Sequence, residues 1–396
     1  MPAEPSDALS FPAPLARPAD YIRFAVGRRV HRLAFAWENR LCRCDVRVVG
    51  AYFSGNLGDW TMGQMVVRAG RAAARRPGLF DYAHAGNPRL PLVMGGGELG
   101  DAFHFEQALR HAPSPSAIAA CGIHPVHDFG ALPASLLDRI SRFAYLSARS
   151  RAGAEAMRVA LSRPDVEYRS DLAFGLWDSP RNRAAIPPAR SRPVLAVNAM
   201  TFYLSVQGQR YFGPDRTLIP VVADPRFAAR VETAGRQYAT CMRQLVRAAC
   251  AQGWEVVNIP FSPVDAMFAD VLWAGLPVRR PPFSRDPVRM LGLLETCDKF
   301  VATRFHAHVF GFLAQVPTVS IGYAGKCQYL WKELGFDPAR QISRLDICQD
   351  PGGCAERILA EPGVGLASPE LARLSKEARA GAEKAFQAVA AVDGGD

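Results

Sequence analysis

Residues 301–315, VATRFHAHVFGFLAQ, decide how the chain is read. A β-type run, Phe300 to Thr303, ends on Arg304. His306 and His308 follow within four residues, and the sequence then turns helical. A strand that passes directly into a helix is the carboxyl-end junction of a parallel α/β sheet, where ligands gather. The helix N-terminus there offers N–H groups and the positive end of its dipole to an anion. Arginine adds a planar fork suited to carboxylate or phosphate. Histidine exchanges protons near neutral pH. The set points to an anionic substrate that needs acid catalysis. At helical spacing His306 shares a face with Phe310 and Leu313, whereas His308 aligns with Gly311, Phe312 and Gln315. His306 is therefore expected to be the functional histidine, and His308 supporting or exposed. A structural His306 and a His-x-His metal pair are the rival readings. The metal reading lacks a third ligand nearby.

Working outward, strand-like and helix-like runs alternate on both sides of this stretch. VRVVGAYF (46–53) leads through SGNLGD (54–59) into a helical WTMGQMVVRAGRAAA, for which Asp59 is a candidate cap. LPLVMGGGELGD (90–101), SAIAACGI (116–123), AYLSAR (144–149) and VEYRSDLAF (166–174) read as further strands, with helices at 132–143 and 151–162 between them. A second alternating series starts at VLAVNAMTF (194–202) and runs to KCQYLWKELG (326–335). Such alternation implies parallel sheets covered by helices, here an α/β protein of two Rossmann-like domains facing a cleft. The expected organisation is a disordered N-terminus (1–19), a basic amphipathic segment (20–44), an N-terminal domain (45–178), a Pro/Arg-rich linker (179–192), a C-terminal domain (193–350) and a closing C-terminal helix (366–392).

Composition narrows the function classes. The 396 residues and 49% hydrophobic content are enough for packed cores and exclude a disordered chain. No run approaches the ~18 apolar residues of a membrane helix, and the Pro/Ala-rich start lacks a signal-peptide plan. A cytoplasmic protein is expected. Nine scattered cysteines without a C-x-x-C pair argue against a disulfide framework or a zinc ribbon. The net charge of +10 is arginine-led, with eight arginines against three acidic residues in 17–47. That basic amphipathic segment suits either peripheral contact with an anionic inner membrane face or packing on the first domain with a solvated Arg face. No nucleic-acid motif is present, and no nucleic-acid partner is expected.

The remaining candidates lie at the other strand ends. Asn56 and Asp59 sit in the SGNLGD turn. Gly97, Glu98 and Asp101 sit in the glycine-rich GGGELGD, which lacks the G-x-G-x-x-G pattern of a dinucleotide site. His124 and His127 flank Pro125 in CGIHPVHDF, and Asp171 follows the 166–174 run. Lys326 follows the strand at 317–323 and could place a point charge on a phosphate. Each has an alternative as a cap, turn or solvated residue.

Taken together these junctions resemble the polysaccharide pyruvyl transferase family. The resemblance rests on YFSGNLGDWTMGQ, VMGGGELGD, SARSRAGAEAM (with Ser150 where the family usually has Asp), SDLAF, and TRFHAHVFGFLAQVPTVSIGYAGK (with Phe305 for the usual Leu), spanning about residues 46–335. It implies two Rossmann-like domains in a glycosyltransferase-B-like arrangement, the N-terminal one on the acceptor side and the C-terminal one on the donor side. It implies transfer of pyruvate from phosphoenolpyruvate, as co-substrate, to a saccharide acceptor as a ketal, in cell-surface or exopolysaccharide biosynthesis. No cofactor and no metal are implied, and a lipid-linked acceptor at the inner membrane face would suit the basic segment. Arg304, Lys326 and Arg149 would bind the donor and His306 would be the general acid. Asp59 would accept the hydroxyl proton, with Asn56, Gly97, Glu98, Asp101, His124 and Asp171 lining the acceptor side. A sugar-nucleotide glycosyltransferase, or a non-catalytic anion-binding family member, is the alternative.

Overall fold

A computed structural model of the protein describes residues 30, 44–80, 87–96, 100–125, 129–179, 191–200 and 225–393. The N-terminus (1–19), the basic segment 20–44 apart from Val30 and Cys44, most of the 179–192 linker, and Gly97, Glu98 and His127 lie outside the described residues. The chain forms two compact units, one of residues 27–180 with 366–396, the other containing 181–365.

The first unit is a six-stranded parallel sheet: β1 (Val46–Val49), β2 (Pro77–Phe80), β3 (Leu92–Gly95), β4 (Ile118–Ile123), β5 (Tyr145–Ala148) and β6 (Glu167–Tyr168). The spatial order is β2-β1-β3-β4-β5-β6. Strands covered on both faces can be apolar throughout, and all four residues of β1, β3 and β5 are buried. Even Arg47 in β1 is buried and donates to Leu90 O, so the last arginine of the basic stretch is not on a solvated face. Helices α1 (Leu57–Ala72), α2 (Ala102–Arg110), α3 (Ala134–Ser141) and α4 (Arg151–Leu161) fill the crossovers.

The C-terminal helix, Ser368–Asp393, belongs to this first unit. It buries Leu371, Leu374, Ala378, Ala382, Phe386 and Val389 at spacings of three and four, one helical face. That face packs on α1, β4 and the 3-10 segment Leu172–Asp178. Ser170 Oγ donates to Leu374 O at 2.6 Å, and Ser375 Oγ to Asp178 Oδ2 at 2.6 Å.

The second unit repeats the plan with β7 (Val194–Val197), α5 (Pro225–Ala251), β8 (Glu255–Asn258), α6 (Pro263–Leu272), β9 (Val278–Arg279), α7 (Pro287–Leu294), β10 (Lys299–Ala302), α8 (Phe305–Leu313), β11 (Thr318–Gly322), α9 (Gly325–Glu333), β12 (Ile342–Ser343), α10 (Arg344–Gln349) and α11 (Pro351–Ala360). Its order is β12-β11-β10-β7-β8-β9, all parallel. This is the doubly wound dinucleotide-fold order, and the first unit has the flavodoxin-like one; both reverse direction beside their first strand.

Several local expectations change. VEYRSDLAF is a two-residue strand followed by 3-10 turns, because Asp171 caps that segment by accepting from Ala173 N. The first helix begins at Leu57, three residues before Trp60. Asn56 is its cap, accepting from Gly58 N at 2.9 Å, and Asp59 lies inside the first turn. The strands β2, β9 and β12 and the helices α2, α10 and α11 have no counterpart in the sequence reading. These strands are short edge elements without an apolar run long enough to signal them.

Candidate functional site

In doubly wound sheets the crevice opens where strand order reverses. In the first unit that point lies between β1 and β3, and Tyr52 fills it. Its hydroxyl donates to Gly95 O at 2.7 Å. A Cβ at Gly50, Gly63 or Gly95 would fall within 2.4, 2.7 and 2.7 Å of its ring or hydroxyl. These glycines make room for an aromatic side chain of the chain itself.

In the second unit the reversal lies between β7 and β10, and polar groups converge there. Asn198, directly after β7, donates from Nδ2 to Ile259 O and accepts from Arg304 N, both at 3.0 Å. Arg304 directly precedes α8, in extended conformation (φ −68°, ψ 147°). Its guanidinium grips Asp265 on α6 with two bonds of 2.6 Å, Nε to Oδ2 and Nη2 to Oδ1. Asp265 is 0% exposed and also accepts from Phe261 N at 3.2 Å. Ser262 caps α6 by accepting from Asp265 N, and its Oγ lies 3.4 Å from Arg304 Nη2. Behind them Thr303 and Tyr238 share a hydrogen bond of 3.0 Å. Burial pushes the Tyr238 hydroxyl well above the ordinary tyrosine range, so it stays protonated.

His306 lies in the first turn of α8, 5% exposed, with its ring edge-to-face on Phe305 at 5.1 Å. His308 is 0% exposed. Its Nδ1 is 2.8 Å from Arg304 O and its Nε2 2.7 Å from Ser320 Oγ, with Trp331 edge-on at 5.6 Å. Burial lowers its pKa to about 4, so the ring is neutral, Nδ1–H donating and Nε2 accepting. The expectation of a supporting His308 matches this position; an exposed one does not. All nine residues of α8 are buried, so helical spacing could not separate a functional face from a solvent face.

Lys326 lies in the first turn of α9, with Nζ 5.4 Å from the Tyr323 ring centre. Since β10 and β11 are parallel neighbours, Arg304, His306 and Lys326 occupy adjacent strand ends. Neither α8 nor α9 receives a side-chain cap from its N-cap residue, Arg304 or Ala324.

The first unit gathers the other candidates at its own strand ends. Ser54 Oγ donates to Asp59 Oδ2 at 2.9 Å and accepts from Asn56 N, around Gly55 at φ 92°. The left-handed φ explains a glycine at that turn. Asp101 caps α2 and holds His104 Nδ1 at 2.5 Å. A bridge between Gly100 and Pro125 brings His124 beside that loop. Arg149 and Asp171 pair with each other at 3.0 Å, nearly solvent-free. Ser150 accepts from Gly153 N as the cap of α4, a task its hydroxyl performs as a carboxylate would.

No residue of 260–265 is among the candidates read from the sequence. Ser262-Pro263-Val264-Asp265 carries the helix-start signature, hydroxyl cap, proline at the first position and acid at the third. That signature locates Asp265 and does not reveal its partner 39 residues on. Asn198 gave no signal, since the sequence reading runs VLAVNAMTF (194–202) through it, whereas the strand ends at Val197. Among the described residues no three His, Cys, Asp or Glu are arranged to hold a metal ion, and no helix is long and apolar enough to cross a membrane.

The fold and this junction define an α/β protein with an arginine-histidine strand end. A family profile described as polysaccharide pyruvyl transferase matches residues 71–325, well over half of the chain. The chain belongs to that family. No curated protein matches it significantly. Among solved structures it is similar to the UDP-GlcNAc 2-epimerase from Neisseria meningitidis bound to UDP-GlcNAc, at 8% identity and TM-score 0.47, covering 89% of this chain and 99% of that one. It is also similar to Anabaena HepE in complex with UDP and glucose, at 12% identity and TM-score 0.37, covering 89% and 100%.

Proposed function

We propose that this protein transfers pyruvate from phosphoenolpyruvate to a saccharide, forming a pyruvate ketal, in cell-surface polysaccharide biosynthesis. The observation that carries the reading is the Arg304–His306 strand end at the sheet reversal, with Lys326 at the neighbouring strand end, in a chain of this family. Phosphoenolpyruvate carries a carboxylate and a phosphate. The guanidinium of Arg304, the ammonium of Lys326 and the first turns of α8 and α9 supply the matching donors and positive potential.

His306 protonates the methylene carbon C3, which makes C2 electrophilic. A saccharide hydroxyl adds to C2, its proton passing to a base. The C2–O bond to phosphate breaks with its electron pair on oxygen, and inorganic phosphate leaves. A second hydroxyl then bonds to C2, loses its proton and closes the ketal.

Thermal unfolding with phosphoenolpyruvate and a panel of sugar nucleotides tests the donor, for wild type and His306→Ala. Stabilisation by phosphoenolpyruvate in both proteins, with phosphate release in wild type alone, is expected. Stabilisation by sugar nucleotides alone would sink the pyruvyl reading.

A further inference from the structure

Arg304 is held at every polar group of its backbone and along one edge of its side chain. Its N–H goes to Asn198 Oδ1 and its C=O to His308 Nδ1. The Nε/Nη2 edge of its guanidinium goes to Asp265. Asn198 and Asp265 come from different strand ends. In the order β10-β7-β8, Arg304 follows β10, Asn198 follows β7, and Asp265 opens the helix after β8. The contact from Asp265 therefore reaches past the end of β7, with Asn198 filling the space between through its bond to Ile259 O.

The pair is asymmetric: the Arg304 side chain is 19% exposed, while that of Asp265 is 0% exposed. A fully buried carboxylate carries a desolvation cost that apolar packing would avoid, so such a pair is weak evidence for stability as its purpose. What it provides is direction. A guanidinium is planar, and two short bonds along one edge fix both its plane and its rotation.

We propose that Asp265 is a positioning residue that orients Arg304 for the donor anion. This rests on the reading that Arg304 meets that anion. The proposal makes a prediction opposite in sign to simple electrostatics. Removing a negative charge beside an anion site should tighten anion binding by Coulomb's law alone. Loss of orientation should weaken it.

The test is titration calorimetry of the full chain with phosphoenolpyruvate and, separately, inorganic phosphate, on wild type, Asp265→Asn, Arg304→Lys, Arg304→Gln and Asp265→Asn/Arg304→Gln. Asp265→Asn is expected to raise Kd at least threefold. Arg304→Lys, which keeps the charge and the buried partner but loses the planar fork, is expected to do the same and remains informative if the Asp265 variant does not fold. In the Arg304→Gln background, Asp265→Asn is expected to change residual binding less than twofold, which a general loss of structure would not reproduce. Tighter or unchanged binding in Asp265→Asn, or full affinity in Arg304→Lys, overturns the positioning role. If wild type binds phosphate but not phosphoenolpyruvate, the donor reading falls and the phosphate series decides the role of Asp265. If wild type binds neither, both fall.

Discussion

At the residue scale, Arg304 and His306 stand directly after β10, at the reversal of the second sheet. Arg304→Ala is expected to abolish stabilisation by phosphoenolpyruvate in a thermal shift assay; survival of the shift would place the anion elsewhere. His308 was less legible, because burial around the whole circumference of α8 erases the polar-versus-apolar contrast that periodicity needs. Its chemistry predicts a pH dependence. With its folded pKa lowered to about 4, the native state holds the ring neutral while the unfolded chain protonates it near the ordinary 6.5. The stabilisation from a neutral His308 is therefore complete above pH ~6.5 and is lost as pH falls toward 4, in total on the order of 3 kcal/mol. His308→Phe is expected to flatten that part of the stability–pH profile, measured by denaturant unfolding between pH 4 and 7, while lowering stability at pH 7 by leaving Ser320 Oγ and Arg304 O without the ring. An unchanged slope would show that another group titrates there.

At the element scale, the longer strands and most crossover helices could be read from alternation, since continuous apolar runs and 3.6-residue periodicity are strong signals. The pairing of elements could not, because contacts such as Arg304 to Asp265 depend on strand order. Close packing of α8 on the sheet gives a sharp test. A Cβ at Gly311 would stand 2.3 Å from Thr318 Oγ1 and 2.9 Å from the Phe300 ring. Gly311→Ala is expected to cost about 1–3 kcal/mol by overpacking, read as a lower midpoint in urea. A midpoint equal to wild type would mean that α8 can shift on the sheet at little cost. Losing the cap of α1 is a gentler change: Asn56→Ala is expected to cost about 1 kcal/mol by the same measurement.

At the scale of the whole molecule, the sequence marks a closing helix but not the unit it closes, since an amphipathic stripe states how much it buries and not against what. The structure assigns it to the first unit, where Phe386 stands so close to Gly70 that a Cβ there would come within 2.5 Å of its ring. Phe386→Ala is expected to lower hydrogen-exchange protection in β4 and α1 and leave β7, β8 and β10 as in wild type. Equal loss in both units would show that the two unfold as one.

That assignment has a consequence for how the chain is made. The core of the unit assembled from residues 27–180 and 366–396 has one side built within residues 49–166, whereas the side formed by α1, β4 and the 172–178 segment is covered by the helix 368–393. The strands and crossover helices of the unit containing 181–365 all precede that helix in the chain. Completion of the first unit is thus expected to follow, rather than precede, synthesis of the second. The nascent first sheet is expected to keep one apolar face uncovered until residues 368–393 have been made.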